Sequence, residues 1–189
     1  RRLMNLDLEK RPALRFSRDL FLLSFYLRGI PFVDLAHLRQ TDVRHNTIYY
    51  YRHKTRQQLS VHIESYAAQI INRYKNKTTS SPYLLPILSL TGEDGYKQYK
   101  SALRLYNQHL HTLSKMLRLN TPLTSYVARH SWATTAKDEG IAISVISESL
   151  GHTSEKVTHV YLASFDNNAM SKANKKVIAT IHPNKNNKS

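Results

Sequence analysis

The sequence predicts a mostly α-helical domain that carries one small antiparallel β-hairpin or sheet. Apolar residues recur at helical spacing through most of the chain, while β-forming residues cluster only between Thr47 and Ile63. The chain has 189 residues, 41% of them hydrophobic and 10% aromatic, enough for one packed core and unlike a disordered tail.

Residues 1–11 are charged and weakly patterned and read as a linker ending at Pro12. Leu14, Leu20, Leu23 and Tyr26 then mark one face of a helix, with Gly29 as its stop. Pro31 opens a second, short helix in which Phe32, Leu35 and Leu38 recur every three residues until Thr41-Asp42. Thr47–Arg52 and Leu59–Ile63 are rich in β-formers and flank the polar stretch Lys54–Gln58, so they read as a hairpin with a basic loop. Helical spacing returns from Glu64 to about Asn76 through Tyr66, Ala67, Ile70, Ile71 and Tyr74, and Lys77–Pro86 reads as a loop. A long helix from Glu93 to Leu119 follows, with Leu103, Tyr106, Leu110 and Leu113 on one side. Thr124 or Ser125 is positioned to cap a helix that runs through Asp138 to Gly140, and Ser144 to cap another that ends at Leu150 before Gly151. A helix from about Ser154 carries Val157, Val160 and Tyr161 as an apolar face. A last helix, 166–182, precedes a disordered tail, 183–189, rich in Lys and Asn.

Lys and Arg number 28 against 13 Asp and Glu, a formal charge of +15 that calls for an anionic partner. There is no Cys, which excludes disulfides, a thiolate nucleophile and thiolate metal sites, and fits a reducing, cytoplasmic compartment. The longest apolar runs, such as Leu20–Leu23, fall far short of the ~20 residues a membrane span needs. Gly is scarce, at 5 residues, and no phosphate-cradling Gly-rich loop ending in Lys-Ser or Lys-Thr exists, so nucleotide hydrolysis has no support. His109 and His111 do not share a helical face and make a poor metal pair.

The stretch most informative about chemistry is Leu123-Thr-Ser-Tyr-Val-Ala-Arg-His-Ser-Trp-Ala-Thr134, followed by Leu150-Gly-His152 and Thr158-His-Val-Tyr161. His152 follows Arg129 by 23 residues, and Tyr161 follows His152 by nine. In these spacings the chain resembles the tyrosine recombinases, the phage-type integrases, and in particular a variant branch from mobile elements. Gly29-Ile-Pro-Phe-Val-Asp-Leu-Ala-His-Leu38 is similar to the family's first box, and Tyr51-Arg-His-Lys-Thr55 to its hairpin lysine. The resemblance implies the recombinase catalytic-domain fold, the DNA breaking-rejoining fold, over residues 12–165. It also implies a missing N-terminal DNA-binding region before the linker, a C-terminal helix exchanged between subunits, and a homotetramer on paired sites in double-stranded DNA.

The chemistry follows from the side chains. A phosphodiester under attack gathers charge on its non-bridging oxygens, and the permanently ionised fork of Arg129 suits them. The resemblance implies that Tyr161 attacks phosphorus, leaving a 3′-phosphotyrosine and a free 5′-hydroxyl. Bond energy is conserved in that exchange, so neither ATP nor a metal cofactor is needed. The resemblance implies that Lys54, on the hairpin loop, is the general acid that protonates the leaving oxygen. His152 would hydrogen-bond a phosphate oxygen. His130, about 100° around the helix from Arg129, reads as structural.

Two departures stand out. Tyr126 occupies the family's first His position and is a poor proton acceptor near neutrality. Pro31 occupies the position of the family's first catalytic arginine, so that role passes to Arg28, three residues earlier, with Arg52 and Arg56 as rivals on the hairpin. The reading is site-specific recombination or integration by DNA strand transfer. Its alternative is a non-catalytic basic DNA-binding module that kept the fold; a topoisomerase of similar chemistry and a membrane-surface protein rank lower. Under either DNA reading, duplex affinity should fall with a log–log salt slope of about −0.9 per phosphate neutralised, and a salt-independent Kd would contradict both.

Overall fold

Pro12, whose ring presets φ and whose missing N–H costs nothing in a first turn, starts helix α1 (Pro12–Tyr26). This is a computed structural model, and it describes residues 2–163; the helix expected over 166–182 and the tail over 183–189 lie outside the described residues. Leu20 and Leu23 of α1 are buried, and the chain reverses through Arg28 and Gly29, both at positive φ. Pro31 is extended and leads into α2 (Phe32–His37), where Phe32, Leu35 and Leu38 are buried as their spacing predicts. Residues 2–11, read as a linker, place Leu8 in the core, and the Leu6 carbonyl accepts from Arg18 Nη1 at 2.9 Å.

The expected hairpin is one side of a three-stranded antiparallel sheet, ordered β1 (Val43–Arg44), β2 (Thr47–Tyr51), β3 (Gln58–His62). Ile48 pairs with Val61 and Tyr50 with Leu59, and all four side chains face the core while Tyr49 and Tyr51 face outward. The alternation fixes that register, since a one-residue slip would turn the buried set to solvent. Strand β1 was not anticipated because two residues are too short to show a period of two. Its connection is a tight turn at His45-Asn46, both at positive φ, where Asn is tolerated best.

The remaining helices are α3 (Ser65–Tyr74), α4 (Gly92–Met116), α5 (Val127–Asp138), α6 (Ile143–Leu150) and α7 (Glu155–Ala163). Three expectations need correction. The helix capped by Thr124 or Ser125 instead has Tyr126 at its cap position, because the Ser125 amide is held by Asn107 Oδ1 of α4 at 2.8 Å. Ser144 lies inside α6, whose cap position is Ala142. On α7, Val157 and Val160 are exposed, and the inward face is Thr158, Tyr161 and Leu162. Among the described residues, no helix is long and apolar enough to cross a membrane.

Two hydrophobic clusters result. The larger joins α1–α4 and the sheet, and the smaller joins Ala133, Ala136, Ile146, Leu150 and Leu162 of α5–α7. At their junction the α1–α2 turn lies against α5: a Cβ on Gly29 would stand 2.8 Å from the Cα of Arg129. Gly29 also sits at φ +70, so Gly29→Ala combines a clash with a left-handed backbone and should cost about 2 kcal/mol or more in urea unfolding. An unchanged midpoint would show that the turn does not approach α5 so closely.

Candidate active site

Arg129, in the first turn of α5, is only 2% exposed. Its Nη1 donates to the Gly29 carbonyl at 3.0 Å and its Nη2 to the Leu150 carbonyl at 2.6 Å. The second carbonyl is free to accept because α6 ends there, with Gly151 in the left-handed conformation. Nη2 also lies 3.2 Å from His152 Nε2, and His152 Nδ1 lies 2.8 Å from the hydroxyl of Thr158, a fully buried residue of α7.

Tyr161 follows Thr158 by three residues, nearly one turn, so its ring reaches the same place. Its ring centroid is 5.6 Å from that of His152 in an edge-on contact and 4.7 Å from that of His130, with the two planes 17° apart. Tyr126, half-exposed, meets His130 edge-on at 4.7 Å and Tyr161 at 6.4 Å. The sequence reading of His130 as structural takes a definite form here: its ring backs the Tyr161 ring.

The sheet brings further cations. Arg52, at the end of β2, is buried and donates from Nη1 to Asp34 Oδ2 at 2.8 Å, while Asp34 Oδ1 accepts from the His53 amide at 2.9 Å. Losing Asp34 would leave a buried guanidinium unpaired, a loss of roughly 3–5 kcal/mol for pairs of this kind. A Cβ on Gly151 would stand 3.0 Å from Arg52 Cγ, so a glycine lets the Leu-Gly-His turn pack on this arginine. Lys54 is exposed on the hairpin turn, which Thr55 ties to the Gly151 carbonyl through a 3.2 Å hydrogen bond. Arg28 points elsewhere: its Nη1 is 3.5 Å from the Ser60 carbonyl on β3. Arg56 is exposed on the turn at positive φ.

Charge and burial set the protonation of the site. Burial, then the charges of Arg129, Arg52 and Lys54, push His152 down to about 4, so it is neutral near pH 7. Burial raises the Tyr161 phenol against the lowering influence of Arg129, with Tyr126 adding to the rise. Burial and the neighbouring Arg52 act against the charged form of Arg129, which nevertheless stays a cation as arginines in proteins do. Among the described residues no three His, Asp or Glu side chains converge on a point that would hold a metal ion. His109 is instead engaged with the Ser17 hydroxyl at 2.8 Å.

The pattern of these residues in sequence and space is decided by comparison: the model of the phage integrase family matches residues 6–168. The chain belongs to that family. Its fold is that of the tyrosine recombinases. XerA recombinase superposes with a TM-score of 0.57 at 18% identity, over 89% of this chain and 63% of that one. Lambda integrase, solved as a dimer bound to a COC′ core site, gives 0.59 at 15% identity over 85% and 45%. The Tn1549 transposon integrase, solved with transposon right-end DNA, gives 0.57 at 14% over 82% and 60%. The chain thus spans about half to two thirds of the length of these recombinases. No curated protein matches it.

Sequence reasoning left two residues of this candidate site unassigned. Asp34 enters the sequence reading only as part of the stretch Gly29–Leu38, and Thr158 only as part of the stretch Thr158–Tyr161. The signal for Thr158 was its position one turn before Tyr161, on the helix face that also carries Leu162.

His152 is depressed in the folded state, so the unfolded chain binds the extra proton between about pH 6.5 and 4, and stability falls as pH drops through that window. The His152 share should be of order 1 kcal/mol once solvent screening is discounted. Urea midpoints at pH 7 and pH 4.5 should therefore differ less in His152→Gln than in the natural sequence, and equal differences would refute the assignment.

Proposed function

We propose that this chain is the catalytic domain of a site-specific recombinase that cuts and rejoins duplex DNA through a phosphotyrosine. The observation that carries the reading is the convergence of Arg129, His152 and Tyr161, from α5, the turn after α6, and α7, within contact of one another. Helices from distant parts of the chain have no structural need to gather a guanidinium, an imidazole and a phenol at one point. The net charge of +15 supplies the attraction for the phosphate backbone.

In this reading Arg129 and Arg52 hold the non-bridging oxygens of the scissile phosphate and stabilise the charge that grows there. Arg52 takes the second arginine position in place of Arg28, because Arg52 acts electrostatically on both Arg129 and His152 while Arg28 reaches toward Ser60. His152 hydrogen-bonds a phosphate oxygen. The Tyr161 phenolic oxygen attacks phosphorus, the P–O5′ bond breaks, and Lys54 gives a proton to the departing 5′-oxygen. The phenol proton leaves to solvent. Tyr126 flanks the nucleophile and its hydroxyl offers the phosphate a donor. The DNA partner is a duplex, and the working assembly is a homotetramer on paired sites.

A pool of nicked duplexes randomised around the nick, incubated with the full chain, should yield a detergent-stable covalent adduct, lost completely in Tyr161→Phe. Arg52→Lys keeps the charge but loses the fork and should lower adduct formation about 100-fold, whereas Arg28→Lys should change it less than about threefold. The reverse ranking would return the role to Arg28. Salt-sensitive binding with no adduct from any duplex would leave the non-catalytic DNA-binding module as the function.

A further inference from the structure

We infer that Thr158 is a positioning residue whose hydroxyl lets His152 exchange one neutral tautomer for the other when a phosphate enters the site. The inference rests on the function proposed above for His152, and it starts from hydrogen-bond bookkeeping. An arginine N–H can only donate. The 3.2 Å contact from Arg129 Nη2 to His152 Nε2 therefore makes Nε2 the acceptor, with its lone pair toward the guanidinium. A neutral imidazole accepting at Nε2 carries its proton on Nδ1, so Nδ1–H donates to Thr158 Oγ1 across 2.8 Å.

That arrangement suits the empty site and opposes catalysis. A phosphate oxygen has lone pairs of its own, and a bare Nε2 facing it would repel it. Once the phosphate takes up the Arg129 N–H, His152 must present Nε2–H. The exchange is charge-neutral: one proton leaves Nδ1 to solvent, another arrives at Nε2, and the Thr158 hydroxyl turns from acceptor to donor toward Nδ1. A hydroxyl is the side chain that serves both states without changing charge. A carboxylate at this position would lock the proton on Nδ1, and an aliphatic would leave a buried ring nitrogen without a partner in either state.

The placement of Thr158 favours this role over plain packing. It is fully buried on α7, one turn before Tyr161, while the aliphatic residues Val157 and Val160 of the same helix face solvent. The helix that delivers the nucleophile also delivers the hydroxyl that sets the histidine. Gly151 ends α6 in the left-handed conformation and so directs His152 between Arg129 and this helix. The groups that act on the ring are Arg129 from α5, Arg52 and Lys54 from the hairpin, and the Tyr161 ring from α7. With three cations nearby, an exchange between neutral forms is easier than protonation of the ring.

Two measurements on the full chain test this. Nitrogen-15 spectra of histidine-labelled free protein should show His152 protonated on Nδ1; protonation on Nε2 in the free state would overturn the inference. This measurement needs no DNA, so it stands even where no covalent adduct is found and the recombinase reading fails. With a duplex recovered by covalent capture, Thr158→Val should slow adduct formation roughly ten- to a hundred-fold with duplex Kd unchanged within about twofold. Thr158→Ser, which restores the hydroxyl, should recover the rate to within about threefold. A Thr158→Val rate equal to that of the natural sequence, or a Thr158→Ser rate as low as that of Thr158→Val, would leave Thr158 a packing residue.

Discussion

The structure turns on one buried guanidinium. Arg129 lies where the two hydrophobic clusters meet, and its N–H groups reach the Gly29 carbonyl at 3.0 Å on one side and the Leu150 carbonyl at 2.6 Å on the other. Removing a charge from water is expensive, and two backbone carbonyls offset only part of that cost. The Arg129 Nε–H is buried with no hydrogen-bond acceptor among the described residues. A chain selected for stability alone would place an aliphatic side chain at this junction. A buried cation held by carbonyls is what a site needs if it is to meet a phosphate with its donors already in place.

The same economy governs the second cation. Asp34, on the short helix that opens after Pro31, anchors Arg52 and the backbone of His53 together, so the base of the hairpin and its arginine are set by one carboxylate. Arg129 is not the site's only buried guanidinium among the described residues, because the hairpin contributes Arg52. Lys54 stays exposed two residues further on, on the hairpin turn.

Tyr161 shows two influences in opposition. Burial among the rings of His130, His152 and Tyr126 raises the Tyr161 phenol, and the charge of Arg129 lowers it, with burial the stronger in the free protein. Ring packing against His130, His152 and Tyr126 fixes its place.

Helix periods, the proline and glycine boundaries and the composition belong to the sequence itself, and from them the mostly helical class and the basic character were legible, while the 23- and nine-residue spacings singled out Arg129, His152 and Tyr161 only through the resemblance to the recombinases. Cap positions, the exposure of Val157 and Val160, strand β1, the pairing of Arg52 with Asp34 and the bond from Thr158 to His152 were decided only by tertiary structure. The physical reason is range. Periodicity reports which face of an element is apolar, while the partner of a polar atom depends on which other element folds against it, and Asp34 and Arg52 are 18 residues apart with two strands between them.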